Sequence, residues 1–490
     1  MTNSAFKYKS NFERDVLALA LDNTAKMPLQ SQLLDALRRI ITSNPDHSGA
    51  RLPASRTLAA DLSVSRTTVQ AVYDQLISEG YLITRQGSGT FVAEDVPHLT
   101  PAVTDTATRP VPSPAEAWTP FQTGLPDQSL LPNKIFARHL ERAWSRPDPA
   151  LFARLDPLGW GPLREAIADH LRAWRQVSCD AEQVVITAGA SDSLDVVFRG
   201  LVEPGLDVAI EDPCWPKIHD VLAKTGARAH PMRVDDEGFD AAHIPPQARA
   251  AIVTPSRHYP TGHSLPMPRR MALLDWAERS GGLVIEDDYD SEFRYRGQPL
   301  PALSGVDELR NTIYLGSFSK LFGPALRIGF LVLPRPLLGN ARRYLADAGT
   351  RVSLVPQPAL AAFMGSGEFA VHLRRMRRIY ARRQAHLIQC LAPLTPYLTI
   401  EPDPSGMHLC LPFKPSLARH TRDRTICAMA KKQGLEIGAL SAHCTLADAP
   451  QGLLLGYAAF EEPVLTRAAD TLIDIVEAEV NSDDASRLAV

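Results

Sequence analysis

"SFSKLFGPALRIG", residues 317–329, is the stretch that decides the fold. Lys320 stands beside the hydroxyls of Ser317 and Ser319, seven residues before the guanidinium of Arg327 and just after the apolar run "NTIYLG". An ε-amine condenses with an aldehyde, while a guanidinium flanked by hydroxyls suits a phosphate dianion. A lone lysine near a serine is ordinarily a solvated surface charge, so the remaining neighbours must decide.

The first of them is "VIEDDYDSEF", residues 284–293. Glu286, Asp287, Asp288 and Asp290 by themselves read as a solvated acidic turn or a metal site. Beside Lys320 they read differently. Asp287 ends a buried strand, where it can hold the ring nitrogen of pyridoxal phosphate protonated and stay ionised by that pairing, and Tyr289 can hydrogen-bond the phenolic oxygen. "TAGASDSLD" (187–195) is a strand, a glycine turn and a helix start, so backbone N–H groups of Gly189, Ala190 and Ser191 can receive the phosphate. In "EDPCWPKIHDVL" (211–222), Trp215 is either a ring-stacking residue or a core or interface tryptophan. In "TPSRHYPTG" (254–262), a turn can bring Tyr259 or His258 to the ring edge. The expected cofactor is pyridoxal phosphate, and no metal is expected.

These motifs lie in a long alternation of short apolar strands and amphipathic helices, residues 133–480. "QVVITAG", "DVAIEDP", "AAIVTPS", "GLVIEDDY", "NTIYLGS" and "IGFLVLP" are β-branched and nearly continuously apolar, the pattern of a parallel sheet covered on both faces. Residues 93–132 are rich in Pro, Thr and Ala and read as a semi-extended linker. With 490 residues the chain needs two or three domains, and a net charge of −3 provides no global field for nucleic acid, so any DNA contact is local. The six cysteines (179, 214, 390, 410, 427, 444) form no CxxC pair, which fits reduced thiols in the cytoplasm. No secretion signal or membrane span is evident.

The head, residues 12–92, has a different grammar. "SRTLAADL" is a short helix, "SVS" a break, and "SRTTVQAVYDQLISEG" a second helix with Ser65 as N-cap and Val69, Val72, Tyr73 and Leu76 on its inner face. Gly80 stops it, and "YLITRQGSGTFV" is a hairpin with a glycine-rich tip: a winged helix-turn-helix. The second helix would present Arg66, Thr67, Thr68 and Gln70 to base edges, with Arg56 on phosphate and Arg85, Gln86 and Gly87 along the backbone or minor groove. The alternative is a small module that only mediates dimerisation. Six arginines in "HLRRMRRIYARRQ" (372–384) put Arg374, Arg378 and Arg382 on one helical face, either solvated and acid-paired or a secondary DNA contact.

The head, "LPxxRxLAxxLxVSRxTVxxxYxxLxxEGYLxxxxGxGTFV", resembles the GntR superfamily, and residues 120–480 resemble fold-type I aminotransferases. Together the chain resembles the MocR-like regulators. The resemblance implies an α/β body with a mostly parallel sheet in an α/β/α arrangement and a small C-terminal α/β subdomain. It implies Lys320 as Schiff-base lysine, Asp287 at the ring nitrogen, Tyr289 at the phenolic oxygen, Arg327 and Ser317 on the phosphate, and a head-to-tail homodimer. Three positions depart: Ser191 where the family has a glutamine, Tyr259 where aminotransferases place Asn, and Leu454 where they place the arginine that clamps the substrate carboxylate. The expected function is a DNA-binding regulator of operators with repeated half-sites, whose body senses a small-molecule amine by exchange at Lys320, or senses pyridoxal phosphate itself. Lys217 is the expected receiver of an acid group on that effector. The rivals are a working aminotransferase with an accessory head, and a DNA-binding protein whose body has lost its cofactor.

Overall fold

The computed structural model describes residues 12–94 apart from 13–14, 17, 23–24, 26 and 44–46, and residues 118–488 apart from 154–155, 299 and 350. They fall into two compact units divided between Pro114 and Ala115.

The first unit is built from α1 (Leu29–Ser43), α2 (Ser55–Asp61), α3 (Arg66–Ser78) and the antiparallel hairpin β1 (Leu82–Arg85) and β2 (Gly89–Val92). The Ser65 hydroxyl accepts the Thr68 N–H at 3.0 Å and starts α3, while Gly80, in the left-handed region at φ 80°, ends it. Val69, Val72 and Leu76 recur at helical spacing and pack in one core with Leu33, Leu37 and Leu58. This is the expected winged helix-turn-helix, with α3 as its second helix. The sequence reading did not single out α1, although it supplies much of that core. Arg38 on α1 ties it to Glu79 after α3 (Nε to Oε2, 3.0 Å).

The second unit holds a seven-stranded sheet in the order β3-β9-β8-β7-β6-β4-β5. The strands are β3 (Val184–Thr187), β4 (Asp207–Asp212), β5 (Arg228–Arg233), β6 (Ala250–Val253), β7 (Leu283–Asp288), β8 (Thr312–Ser317) and β9 (Gly329–Val332). Neighbours from β5 through β8 pair in parallel, and β9 runs antiparallel to both β8 and β3. Six of the seven match the apolar runs of the sequence. The exception, β5 (RAHPMR), is polar and carries Pro231 in mid-strand, which an edge tolerates because one side of the strand needs no N–H. Every residue of β3, β6 and β9 is buried, as expected where helices cover both faces. A smaller antiparallel sheet follows, β10 (His408–Pro412), β11 (Gly438–Ala439) and β12 (Gly452–Gly456), in the order β10-β12-β11. Helix Asp423–Lys432 packs against β11 and β12, and helix Glu462–Leu488 packs against that helix and against helix Glu368–Cys390.

Part of the segment read as linker belongs to this unit. Phe121 is fully buried and bridges to Gly456, where a Cβ would stand 2.0 Å from the Gln122 carbonyl oxygen. One buried aromatic anchors residues 118–132, and their proline-rich composition concealed it. Residues 95–117 of the linker reading lie outside the described residues.

Candidate functional site

A cavity of about 370 Å³ opens in the second unit where β4, β7 and β8 end, the position in which open α/β sheets bind ligands. Its lining brings together Lys320, Asp287, Tyr289, Arg327, Ser317, Ser319, Trp215, Gly189, Ala190, Ser191 and Tyr259, all the cofactor candidates of the sequence. Lys320 sits on the turn of helix after β8, and its Nζ donates to the Gly124 carbonyl at 3.1 Å. Burial lowers the ammonium pKa, with Asp290 and Asp287 opposing, so the arrangement favours the neutral amine that attacks an aldehyde. Gly124 escaped the sequence reading. It has φ +78°, and a Cβ there would lie 2.7 Å from the lysine nitrogen.

Asp287 is buried at the end of β7, and its Oδ1 has no hydrogen-bond partner among the described residues. Burial, then the neighbouring Asp288, push its carboxyl up to about 7, with Lys320 pulling the other way. An orphaned buried carboxyl calls for a cationic N–H donor, which a pyridinium supplies. On the opposite wall, Arg327 takes the left-handed conformation at φ 50°, a strained backbone held by its surroundings. The Ser317 hydroxyl donates to Ser319 Oγ (3.0 Å) and accepts the Ser319 N–H (3.2 Å). Gly189, at φ +108°, leads into the helix from Ala190, and a Cβ on Gly329 would come within 2.8 Å of the Gly189 Cα. The set fits pyridoxal phosphate at each end: a carboxyl for the ring, and a guanidinium, hydroxyls and a glycine turn for the phosphate.

The cavity's tyrosines are fixed from behind. The Tyr259 ring stands edge-on to Tyr289 at 5.5 Å. The Tyr259 N–H donates to Thr254 Oγ1 (3.1 Å), whose hydroxyl donates to Glu211 (2.6 Å), a carboxyl that burial pushes up to about 8. The Tyr289 hydroxyl accepts from Arg257 Nη1 at 2.7 Å. His258 is turned into the protein, bonded to Thr261 and the Pro213 carbonyl, and takes no part in the lining. Lys217 is also absent from it: exposed at a helix start, its Nζ is paired with Asp220 at 2.9 Å. The structure places Lys217, the expected receiver of an effector's acid group, outside the cavity, because the helix from Lys217 points that side chain to solvent. Of the arginine face, Arg374 and Arg378 are exposed and Arg382 is paired with Glu462.

In the head, Arg66, Thr67 and Gln70 are exposed on the first turns of α3, with Thr68 half-buried. The Ser65 hydroxyl is bonded to both Thr67 and Thr68, and Gln70 reaches back to Asp74 at 2.9 Å. Arg56 is exposed on α2, and Gln86 and Gly87 form the open tip. Arg85 is engaged: it pairs with Glu94 (3.2 Å) and covers the Phe91 ring. The sequence reading missed Arg51, which is exposed and bridges to Phe91, extending the wing. Its Nε lies 3.2 Å from the place of a Cβ on Gly89. Among the described residues no helix is long and apolar enough to cross a membrane, and no cluster of His, Cys, Asp and Glu is disposed to hold a metal.

Comparison with known proteins agrees with both halves. Bacterial regulatory proteins of the gntR family match residues 29–92, and aminotransferase class I and II matches residues 150–468. The chain is 36% identical over 471 residues to the probable rhizopine catabolism regulatory protein MocR of Rhizobium meliloti, covering 93% of this chain and 95% of that one. It is 33% identical over 462 residues to the HTH-type pyridoxine biosynthesis transcriptional regulator PdxR of Corynebacterium glutamicum, covering 94% and 98%. An archaeal alanine:glyoxylate aminotransferase shares the fold of the body, with a TM-score of 0.67 at 19% identity over 74% of this chain and 92% of that one. Pyridoxal phosphate is the cofactor of this fold class, and the cavity carries the groups it needs. The chain belongs to the MocR-like transcriptional regulators, in which a gntR-family winged helix-turn-helix precedes an aminotransferase-like, pyridoxal phosphate-binding body.

Proposed function

We propose that the body uses its cofactor site as a detector of a primary amine and that the detector changes operator binding by the head. The observation carrying this reading is the convergence of Lys320, the orphaned Asp287 and Arg327 in one cavity. Pyridoxal phosphate, when bound, supplies an aldehyde that condenses reversibly with amines. Lys320 would hold that aldehyde, Asp287 would pair with the ring nitrogen, Tyr289, fixed by Arg257, would bond the phenolic oxygen, and Trp215 and Tyr259 would bound the ring. Arg327, Ser317, Ser319 and the turn of Gly189, Ala190 and Ser191 would hold the phosphate. An amine that took the place of Lys320 would leave the lysine as a second amine beside Gly124, Asp287 and Asp290. Those changed contacts bias one arrangement of the protein over another, which is all a ligand can do to an equilibrium. The regulator acts in the cytoplasm as a head-to-tail homodimer on an operator with repeated half-sites. The test is operator affinity of the cofactor-loaded protein with and without a panel of primary amines. An amine-dependent change in the wild type that is absent in Lys320→Ala supports the reading. DNA binding that responds to pyridoxal phosphate but to no amine assigns the signal to the cofactor itself.

On the DNA side, Arg66→Ala is expected to weaken operator binding and relax specificity, since a base-reading arginine is worth roughly 1–3 kcal/mol of discrimination. Arg56→Ala and Arg51→Ala are expected to weaken specific and random DNA alike and to lower the salt slope by about one each. Titrations on operator and random duplexes at several salt concentrations check both. An equal loss on the two duplexes for Arg66→Ala contradicts its role as a reader. An unchanged salt slope for Arg51→Ala removes it from the interface.

A further inference from the structure

This inference rests on the amine-sensing reading and concerns the chemistry of the amine. With the cofactor groups assigned, the polar side chains left to an amine ligand are those of Thr123, Glu211, Cys214, Thr254, Asp290 and His408. That remainder offers hydroxyls, carboxyls, a thiol and the His408 ring, whose Nε2 is taken up by the Pro260 carbonyl at 3.0 Å and which burial disfavours as a cation. Among the described residues of the lining, the only Lys and Arg side chains are Arg327, assigned to the phosphate, and Lys320, which an amine would free between Asp287 and Asp290 in a place where burial lowers its pKa.

The guanidinium behind this wall is Arg257, and its partners hold it. Nε donates to Asp403 Oδ2 at 2.8 Å, and Nη2 stands in an ion pair with the same oxygen at 2.7 Å and donates to the His408 carbonyl at 2.9 Å. Nη1 donates to the Tyr289 hydroxyl at 2.7 Å and to Asp290 Oδ2 at 3.2 Å. An arginine has five N–H donors; four are taken by these hydrogen bonds, and the Asp403 ion pair lies on the Nη2 side. Two carboxylates face this one cation. The chain also closes over it: a Cβ on Gly406 would stand 2.4 Å from its Cζ, and one on Gly262 would stand 2.6 Å from Asp403 Oδ2. Arg257 is therefore held by these partners, without room to turn toward a ligand.

The other two places for an acid reader are closed as well. Leu454 stands directly opposite Cys410 across the β10–β12 pair, on the sheet face that carries His408, and it is buried and apolar. Lys217 is paired outside the cavity. A carboxylate entering here would lose its water beside Asp290 and gain no counter-charge.

We infer that the amine read by this cavity carries no carboxylate or sulfonate, and that its other polar groups are hydroxyls or further amines. The test is a titration of the cofactor-loaded protein with ethanolamine and putrescine against L-alanine, 4-aminobutyrate and taurine. It is read by the visible absorbance of the bound cofactor and, independently, by the thermal midpoint. Ethanolamine or putrescine is expected to half-saturate at a concentration at least about tenfold below any of the three acids. Asp290→Asn, which removes one negative charge from the wall, is expected to narrow that gap, and an unchanged gap overturns the role given to the wall's charge. Half-saturation by one of the acid-bearing amines at the lower concentration overturns the inference and leaves amine sensing intact. A protein that holds its cofactor on Lys320 and responds to neither class overturns both.

Discussion

Lys320→Ala is expected to abolish the visible absorbance that the wild-type protein acquires with pyridoxal phosphate. In the wild type, borohydride, which fixes the aldehyde onto the lysine that holds it, is expected to mark Lys320 alone. The physical reason lies in three contacts. Burial lowers the lysine's pKa, the Gly124 carbonyl fixes Nζ at 3.1 Å, and Asp287 and Asp290 keep the site from rejecting the protonated form altogether. A surface lysine has none of these and stays an ammonium at neutral pH, a poor nucleophile. Alanine leaves Arg327, Asp287 and the glycine turn in place, so the variant is expected to retain weaker, non-covalent binding of the cofactor while losing the amine response of DNA binding. Gly124→Ala is a graded companion, since its Cβ would press on Nζ at 2.7 Å in a left-handed backbone. It is expected to weaken cofactor loading without removing the lysine. Peptide mapping that finds the label on another lysine contradicts the assignment.

Much of this was legible along the chain, and the limits have identifiable causes. The central strands announced themselves because strands buried on both faces must be continuously apolar. Edge strand β5 did not, because an edge tolerates polar residues and Pro231. Lys320, Asp287, Tyr289 and Arg327 were legible because each belongs to a short segment at a strand end, where side-chain type and chemistry coincide. Gly124 was not, nor was the way distant partners hold Arg257. Gly124 meets Lys320 across 196 residues, and Arg257 reaches Asp403 across 146. A glycine required by another residue's nitrogen, or an arginine held by distant acids, leaves no local pattern. The placement of Lys217 differs for the converse reason. Its spacing from Trp215 suggested a cavity position, but Pro216 begins a helix there, which turns the next side chain to solvent beside Asp220. In the wing, Arg85 looked available in sequence and is held by Glu94, while Arg51, outside the expected hairpin, is free to reach a backbone.

Asp287→Asn is expected to weaken pyridoxal phosphate binding by about 100- to 5,000-fold, the consequence of breaking a buried ion pair worth roughly 3–5 kcal/mol. It is also expected to change how stability depends on pH. Without cofactor, burial raises the Asp287 carboxyl from 3.8 to about 7, so the folded protein holds a proton that the unfolded chain releases near pH 4. The contribution of this group to stability is fully present below pH 4 and is lost as pH rises through about 7, by an amount on the order of 4 kcal/mol. With cofactor bound, the ring N–H gives the ionised carboxylate its partner and the loss is cancelled. The stabilisation conferred by pyridoxal phosphate therefore grows between pH 5 and pH 8 in the wild type. In Asp287→Asn the cofactor-free protein loses less stability over that interval. The residual slope comes from Asp290 and Glu211, which burial raises to about 7 and about 8 and which the substitution leaves in place. Thermal midpoints of both proteins, with and without cofactor, across pH 5 to 8 measure this directly. Parallel pH profiles for the wild type and Asp287→Asn without cofactor would mean that the proton sits elsewhere and that Asp287 is not the carboxyl waiting for the ring.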